Sequence, residues 1–252
     1  MTIQQITFSP TGGTFRVCNA LSKGFGYDIV KTDLCVKEDQ IELPTISTDD
    51  IVVIGMPVYA GRVPALAVNR LRGINSNGAR CVIVAVYGNR EFEDALVEMQ
   101  DVATDCGFKV IAAVSAIAEH SVIREFAAKR PNADDVIELS QFATRILQKA
   151  KNDAEYAELA LPGNRPYKEI KPGPFPVADS SCLGCIMCAE ECPADAISVY
   201  TPQTVNKELC ISCMRCVAVC PTQSRGLGQI VSMLADRLRP LCSDPKHNQL
   251  FI

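Results

Sequence analysis

The chain has 252 residues, more than the roughly 100–150 of a typical single domain, so two unequal domains are expected. Its 48% hydrophobic and 21% charged residues are those of a folded protein and exclude extended disorder. A formal net charge of −4 gives no basic footprint for nucleic acid or an anionic membrane.

The N-terminus runs straight into Ile3–Phe8 with no positive start or long apolar core, so no signal peptide is expected. No stretch approaches the ~18 apolar residues of a membrane span. Thirteen cysteines without an export signal point to metal or redox chemistry and to a cytoplasmic protein. Cys18, Cys35, Cys81, Cys106 and Cys242 are scattered, and core filling is their default role. No histidine neighbour or electropositive pocket marks any of them as a nucleophile.

From Met1 to about Ala150, short β-prone runs alternate with helical patterns, which predicts an α/β domain: a five-stranded, doubly wound parallel sheet covered on both faces. The strands are predicted at Ile3–Phe8, Asp28–Asp33, Ile51–Pro57, Cys81–Tyr87 and Phe108–Ile117. Helices are predicted at Thr14–Lys23, Pro64–Leu71, Glu91–Cys106 and about Ala133–Lys151, where apolar residues recur at three and four. Between Leu34 and Asp50, Pro44 leaves room only for a short helix or loop.

Residues 161–176 carry five prolines and two glycines, a stiff extended composition that marks a linker over about 161–177, after a first domain of residues 1–160. A second, small α+β domain follows at residues 178–224. Residues 225–252 read as a helix over Gly226–Leu238, with Ile230, Leu234 and Leu238 on one side, and a surface tail. Its expected role is packing, over a metal site or back onto the first domain.

The second domain is an internal repeat with a 28-residue offset. Each copy reads Cys-x2-Cys-x2-Cys-x3-Cys-Pro: Cys182, Cys185, Cys188, Cys192, Pro193, then Cys210, Cys213, Cys216, Cys220, Pro221. Zinc knuckles would show two Cys-x2-Cys pairs around a spacer instead. The run resembles that of the two-cluster bacterial ferredoxins over about residues 178–222. The resemblance implies two complete 4Fe–4S clusters, with the fourth cysteine of each run serving the other cluster. Cluster 1 then takes Cys182, Cys185, Cys188 and Cys220, and cluster 2 takes Cys210, Cys213, Cys216 and Cys192. Small or apolar neighbours (Leu183, Gly184, Ile186, Met187, Ile211, Ser212, Met214, Val217) are suited to keep water off the sulfurs and leave amides free to face them.

In the first domain, the first strand is followed by Ser9-Pro10-Thr11-Gly12-Gly13-Thr14 and a helix. Unpaired N–H groups, bare glycines and three hydroxyls suit a phosphate monoester. The absence of a following lysine and of Gly-x-Gly-x-x-Gly counts against nucleoside triphosphates and dinucleotides. This turn resembles the phosphate loop of flavodoxins, which implies FMN; a plain tight turn is the bland reading. Two more loops lie at C-terminal strand ends, where open parallel sheets bind ligands. Pro57, Val58, Tyr59, Ala60 and Gly61 offer a ring to stack on the isoalloxazine and amides near its edge. Tyr87, Gly88 and Asn89 offer polar groups for the pyrimidine side. Arg62 and Arg90 are read either as stabilising an anionic reduced flavin or as surface ion pairs. His120, in the long segment after the fifth strand, is read either near the ring or as a solvated or capping histidine.

The whole chain resembles a flavodoxin–ferredoxin fusion electron-transfer protein of anaerobes. The resemblance implies an electron relay between FMN and the clusters, serving a redox partner protein: a reductase, a radical enzyme or a ferredoxin-dependent oxidoreductase. Asp179, Glu190, Glu191, Asp195 and Glu208, against Lys207 and Arg215, suggest docking to a basic patch. A second class is a flavin-dependent reductase of a small substrate such as a quinone or tetrapyrrole, with only Glu119 and His120 as an acid–base pair. A third is a redox-sensing module with no electron flow of its own.

Overall fold

The computed structural model describes residues 1–152, 158–170 and 173–252. Five parallel strands form the core sheet: β1 (Ile3–Thr7), β2 (Ile29–Asp33), β3 (Ile51–Pro57), β4 (Arg80–Tyr87) and β5 (Lys109–Ile117). The crossovers carry α1 (Gly13–Gly24), α2 (Ala65–Arg72) and α3 (Ala95–Asp105), and α4 (Ala133–Asn152) follows β5. Between β2 and β3 only a 3-10 turn, Glu38–Gln40, is regular.

Side chains alternate across the sheet, and both faces are buried. Val52, Ile54 and Met56 of β3 and Cys81, Ile83 and Ala85 of β4 join one apolar layer with Leu71 of α2 and Leu96 of α3. Ile51, Val53, Val82 and Val84 join the other layer with Val17 and Leu21 of α1 and Ile146 of α4. A period of two with no polar face is why these strands read as continuous apolar runs. Cys18, Cys35 and Cys81 belong to these layers, and burial pushes all three thiols up.

The strand order β2-β1-β3-β4-β5 is that of the flavodoxin-like doubly wound fold, with its topological switch point between β1 and β3. One expectation is corrected. The sheet has a sixth strand, β8 (Gln249–Phe251), antiparallel on β5. The supposed surface tail therefore closes the sheet edge. Asn248 secures it: its Oδ1 accepts the Ile117 amide at 2.9 Å, and its Nδ2 donates to Asp135 at 2.9 Å and Glu138 at 2.5 Å.

The second domain is small. Its elements are a two-stranded ribbon of β6 (Val177–Ala178) and β7 (Arg225–Gly226) and the one-turn helices α5 (Met187–Glu190) and α6 (Arg215–Ala218). Helix α7 runs over Ile230–Cys242, four residues later than the sequence pattern suggests. Leu234 and Leu238 pack with buried Ala235 and Cys242 against Ile123 and Phe126 of the first domain.

Helix α3 begins at Ala95 rather than Glu91, because the preceding turn holds the connecting segment. Asp94 accepts the amides of Asn164 at 2.8 Å and Lys168 at 2.7 Å. Arg165 forks onto Asp101 at 2.6 and 2.8 Å, and Tyr167 donates to the same carboxylate. This proline-rich stretch is a strap fastened along α3, not a free spacer. Among the described residues, no helix is long and apolar enough to cross a membrane.

Candidate functional site

The duplication is visible in the backbone itself. Left-handed residues recur at the 28-residue offset: Gly184 and Ser212 (φ 67 and 55), Ile186 and Met214 (59 and 62), Asp195 and Gln223 (48 and 55). A β-branched Ile186 in this region is strained, and strain is retained where the surroundings impose it. Ile186 and Met214 precede α5 and α6, so each loop turns back on itself between its second and third cysteines. In the second loop, the amides of Ser212 and Arg215 point at the sulfurs of Cys210 and Cys213. Loops of this kind gather N–H groups around an anion.

Cys192 lines one cavity with Cys210, Cys213 and Cys216, together with Ile197, Val205 and Met214. The fourth cysteine of the first run thus stands with the three of the second. The lining is mostly apolar, and burial pushes the Cys213 and Cys216 thiols up to about 12. Such thiols ionise at neutral pH only when a metal supplies the opposing charge. Four sulfurs in an apolar shell with inward amides are the donor set that suits a 4Fe–4S cluster.

The other four cysteines occupy a different environment. Cys185 is exposed, and Cys182, Cys188 and Cys220 are half-buried. The ribbon joins their loops: Asp179 N donates to Ser224 O at 2.9 Å, and Cys182 N to Asp179 O at 3.2 Å. Cys220 Sγ faces Ser224 Oγ at 3.4 Å and Thr222 Oγ1 at 3.6 Å. Burial works to raise its thiol, but hydrogen bonds from Ser224, Thr222 and nearby amides outweigh it and lower the value to about 6. Among the described residues, no three Cys, His, Asp or Glu side chains converge closely enough to share a single metal ion.

At the switch point, the Ser9–Thr14 turn leads from β1 into α1. Ser9 Oγ accepts the Phe15 amide at 2.8 Å, and Gly12 N donates to Ser9 O at 3.1 Å. The amides of Thr11, Gly13 and Thr14 and the hydroxyls of Thr11 and Thr14 have no partner among the described residues. Gly12 adopts φ 82, which a bulkier residue would resist. Free donors at a helix start are what a phosphate requires, and the turn fits one. Arg16, not singled out from sequence, adds a cation: its Nη1 is 3.4 Å from where a Cβ on Gly12 would stand. It lies one helical turn along α1.

Pro57 ends β3, and Val58 follows with its amide bonded to Val86 O at 2.8 Å. Tyr59 and Arg62 then bracket a tight turn through Ala60 (φ 52) and Gly61 (φ 90), whose amides are free. A Cβ on Gly61 would collide with Glu93. After β4, two expected contributions change. The Tyr87 ring is buried edge-on against Phe92 at 5.5 Å, and the Asn89 side chain holds the tail through the carbonyls of Cys242 (2.7 Å) and Asp244 (3.0 Å). The Tyr87 carbonyl also accepts the Ala118 amide at 3.0 Å, which leaves the backbone of Gly88 and Asn89 for a ligand.

The other candidates resolve into structural roles. His120 packs on Gly88, its Nδ1 accepts the amides of Val122 (3.2 Å) and Ile123 (3.1 Å), and burial lowers it to about 4. Glu119 pairs with Arg124 at 2.5 Å, Arg62 with Glu98 at 2.6 Å, and Arg90 with Glu93 at 2.6 Å. The proposed acidic docking face is also smaller than its composition: Glu191 pairs with Arg215, and Asp195 with Lys37 at 3.1 Å.

The two sites adjoin. Arg215 Nη1 donates to Pro10 O in the glycine turn at 3.2 Å. Cys213 lies within electrostatic reach of Tyr59 and of Cys35, whose Sγ accepts the Ser9 amide at 2.8 Å. Buried Arg70 ties Leu34 O (2.5 Å) to Pro193 O (2.7 Å), and Ile211 packs on the first domain's core. The second triad therefore sits over the C-terminal ends of β1, β2 and β3.

Comparisons agree with this division. Residues 166–224 match the family described as "4Fe-4S dicluster domain". No curated protein matches the chain. Among solved structures, a flavodoxin from the domain Archaea is similar at 17% identity and a TM-score of 0.44, over 60% of this chain and 100% of its own. Flavodoxin 2 from Bacillus cereus is similar at 14% and 0.44, over 59% and 99%. Megasphaera elsdenii flavodoxin is similar at 17% and 0.39, over 57% and 98%. All three scores lie below 0.5, so the strand order itself, not these likenesses, assigns the fold. The chain joins a flavodoxin-like doubly wound domain to a 4Fe–4S dicluster ferredoxin region, an architecture for redox electron transfer.

Proposed function

We propose that the chain is an electron relay between FMN at the switch point of the first domain and two 4Fe–4S clusters in the second. Bound there, FMN exchanges one or two electrons and each cluster one, which makes the pair a one-to-two-electron converter. The carrying observation is the seat of the second cysteine triad: Cys213 beside Tyr59 and Cys35, with Arg215 on Pro10.

In this reading Ser9, Thr11, Gly12, Gly13 and Thr14 hold the phosphate, and Arg16 offsets its charge. Pro57, Val58, Tyr59, Ala60 and Gly61 flank the ring, and the backbone of Gly88 and Asn89, just beyond Tyr87, faces its far side. Cys192, Cys210, Cys213 and Cys216 hold the flavin-proximal cluster. Cys182, Cys185, Cys188 and Cys220 hold the distal one, where exposed Cys185 and Leu183 (77% exposed) offer an edge to a partner protein. His120 and Glu119 are committed to their own loop, so the small-substrate reductase reading lacks its acid–base pair.

Anaerobic purification followed by metal, sulfide and flavin analysis tests the assignment. About eight irons and eight sulfides with one releasable FMN per chain are expected. Zinc, only four irons, or FAD in place of FMN would reject it.

A further inference from the structure

Aligning the two repeats at their 28-residue offset sets a buried charge opposite a buried apolar side chain. Ile197 of the first copy is an ordinary core residue, 5% exposed. Its counterpart is Arg225, 3% exposed. The guanidinium donates through Nη1 to Pro176 O at 3.1 Å and through Nη2 to Pro202 O. It has no carboxylate partner among the described residues.

A buried cation bonded to two carbonyls and to the Cys188 thiol, with no carboxylate beside it, keeps its full charge in a poor solvent, and such a charge is tolerated only beside a compensating anion. The groups around Arg225 that can become anionic are cysteines. Cys188 Sγ reaches the same Pro202 carbonyl at 3.8 Å, and Cys188, Cys210 and Cys216 all lie within electrostatic reach of the guanidinium. Cys188 belongs to one set of four and the other two to the second, and the two sets back onto each other in one apolar cluster. The cation thus stands between the two cysteine sets.

We propose that Arg225 is the internal counter-charge of both iron–sulfur sites, raising the reduction potential of each. This rests on the reading that the eight cysteines hold two 4Fe–4S clusters. Four thiolates give each loaded site a net negative charge, which grows by one when the site takes an electron. A fixed positive charge nearby in low dielectric favours that reduced state. Because one guanidinium faces both sites, it acts on both potentials at once. Arg225 is a positioning charge and not a ligand.

The test is an anaerobic redox titration of the full-length protein, monitored by paramagnetic resonance, with iron counted in parallel. It compares wild type, Arg225→Lys and Arg225→Gln. Wild type without two clusters defeats the underlying reading and is recognised before any variant is compared. With two clusters present, Arg225→Gln is expected to move both midpoint potentials to more negative values, while Arg225→Lys stays close to wild type. Failure of Arg225→Gln alone to assemble clusters, rescued by lysine, also supports the counter-charge. Unshifted potentials in Arg225→Gln, equal behaviour of the glutamine and lysine variants, or loss of assembly in both would overturn it, the last by showing a bracing role for the Pro176 and Pro202 carbonyls.

Discussion

The two cysteine sites share a backbone and differ in the side chains that come after the fourth cysteine. After Cys192 come Ala194, Ala196 and Ile197, all apolar; at the matching positions after Cys220 come Thr222, Ser224 and Arg225. One set lines a mostly apolar cavity against the first domain, and the other is half-exposed and hydrogen-bonded. Duplication preserved the left-handed turns that shape the loops, while side-chain substitution separated the environments. Hydrogen bonds to sulfur and solvent exposure raise a cluster's potential, so the exposed site is expected to be the more easily reduced of the two.

The largest expected effect breaks the pairing itself. Cys192→Ala removes a cysteine that sits in the first repeat but faces the second set, so on the proposed assignment the buried cluster should be lost and the exposed one kept. Iron should fall from about eight to about four per chain, with the surviving resonance that of the exposed site. Loss of the exposed signal instead would show that the fourth cysteines do not cross over.

The next effect separates the flavin site from the clusters. A valine at Gly12 must adopt φ near 82 and crowds Arg16, at a cost of about 1–3 kcal/mol, or roughly 5–150-fold in FMN affinity. Fluorescence titration reads the loss, and iron content should not change. A smaller shift sharpens the contrast between the sites: Ser224→Ala should lower only the exposed cluster's potential, by about 40 mV for one hydrogen bond of ~1 kcal/mol. An equal shift at both clusters would contradict the assignment.

The smallest effect concerns the strap. Burial works to raise Asp94, but amides of Lys168 and Asn164 and the Asn164 side chain hold its carboxyl below the ordinary range. A lowered folded value means that this contribution is complete above the ordinary carboxylate pKa and is lost as pH falls through the folded one. Hydrogen-exchange protection across residues 158–170, taken relative to the intrinsic rate at each pH, should therefore fall on acidification. Asp94→Asn should remove that pH dependence and weaken the strap by about 1–2 kcal/mol.

The parallel strands were legible because two-sided burial makes them continuous apolar runs, and Ile51–Pro57 falls where the pattern puts it. Strand β8 was not, since three residues paired at an edge carry no period and depend on Asn248, which is distant in sequence from its partners. Cysteine spacing is a local signal and was readable. The contact of Arg215 with Pro10 spans 205 residues and leaves no trace in either motif. Arg225 could be found from sequence only by aligning the repeats and asking why an isoleucine position carries a charge. Tyr87 and Asn89 sit in the expected loop, but their side chains answer to Phe92 and to the tail, which no loop motif encodes.

The most direct test of a relay through the buried site is stopped-flow reduction of the clusters in the full-length protein under anaerobic conditions, following flavin absorbance. Exchange within one chain is expected: flavin reduction at a rate independent of protein concentration, lost in Cys192→Ala. A flavin that stays oxidised while the clusters reduce, or a rate that scales with protein concentration, would contradict it.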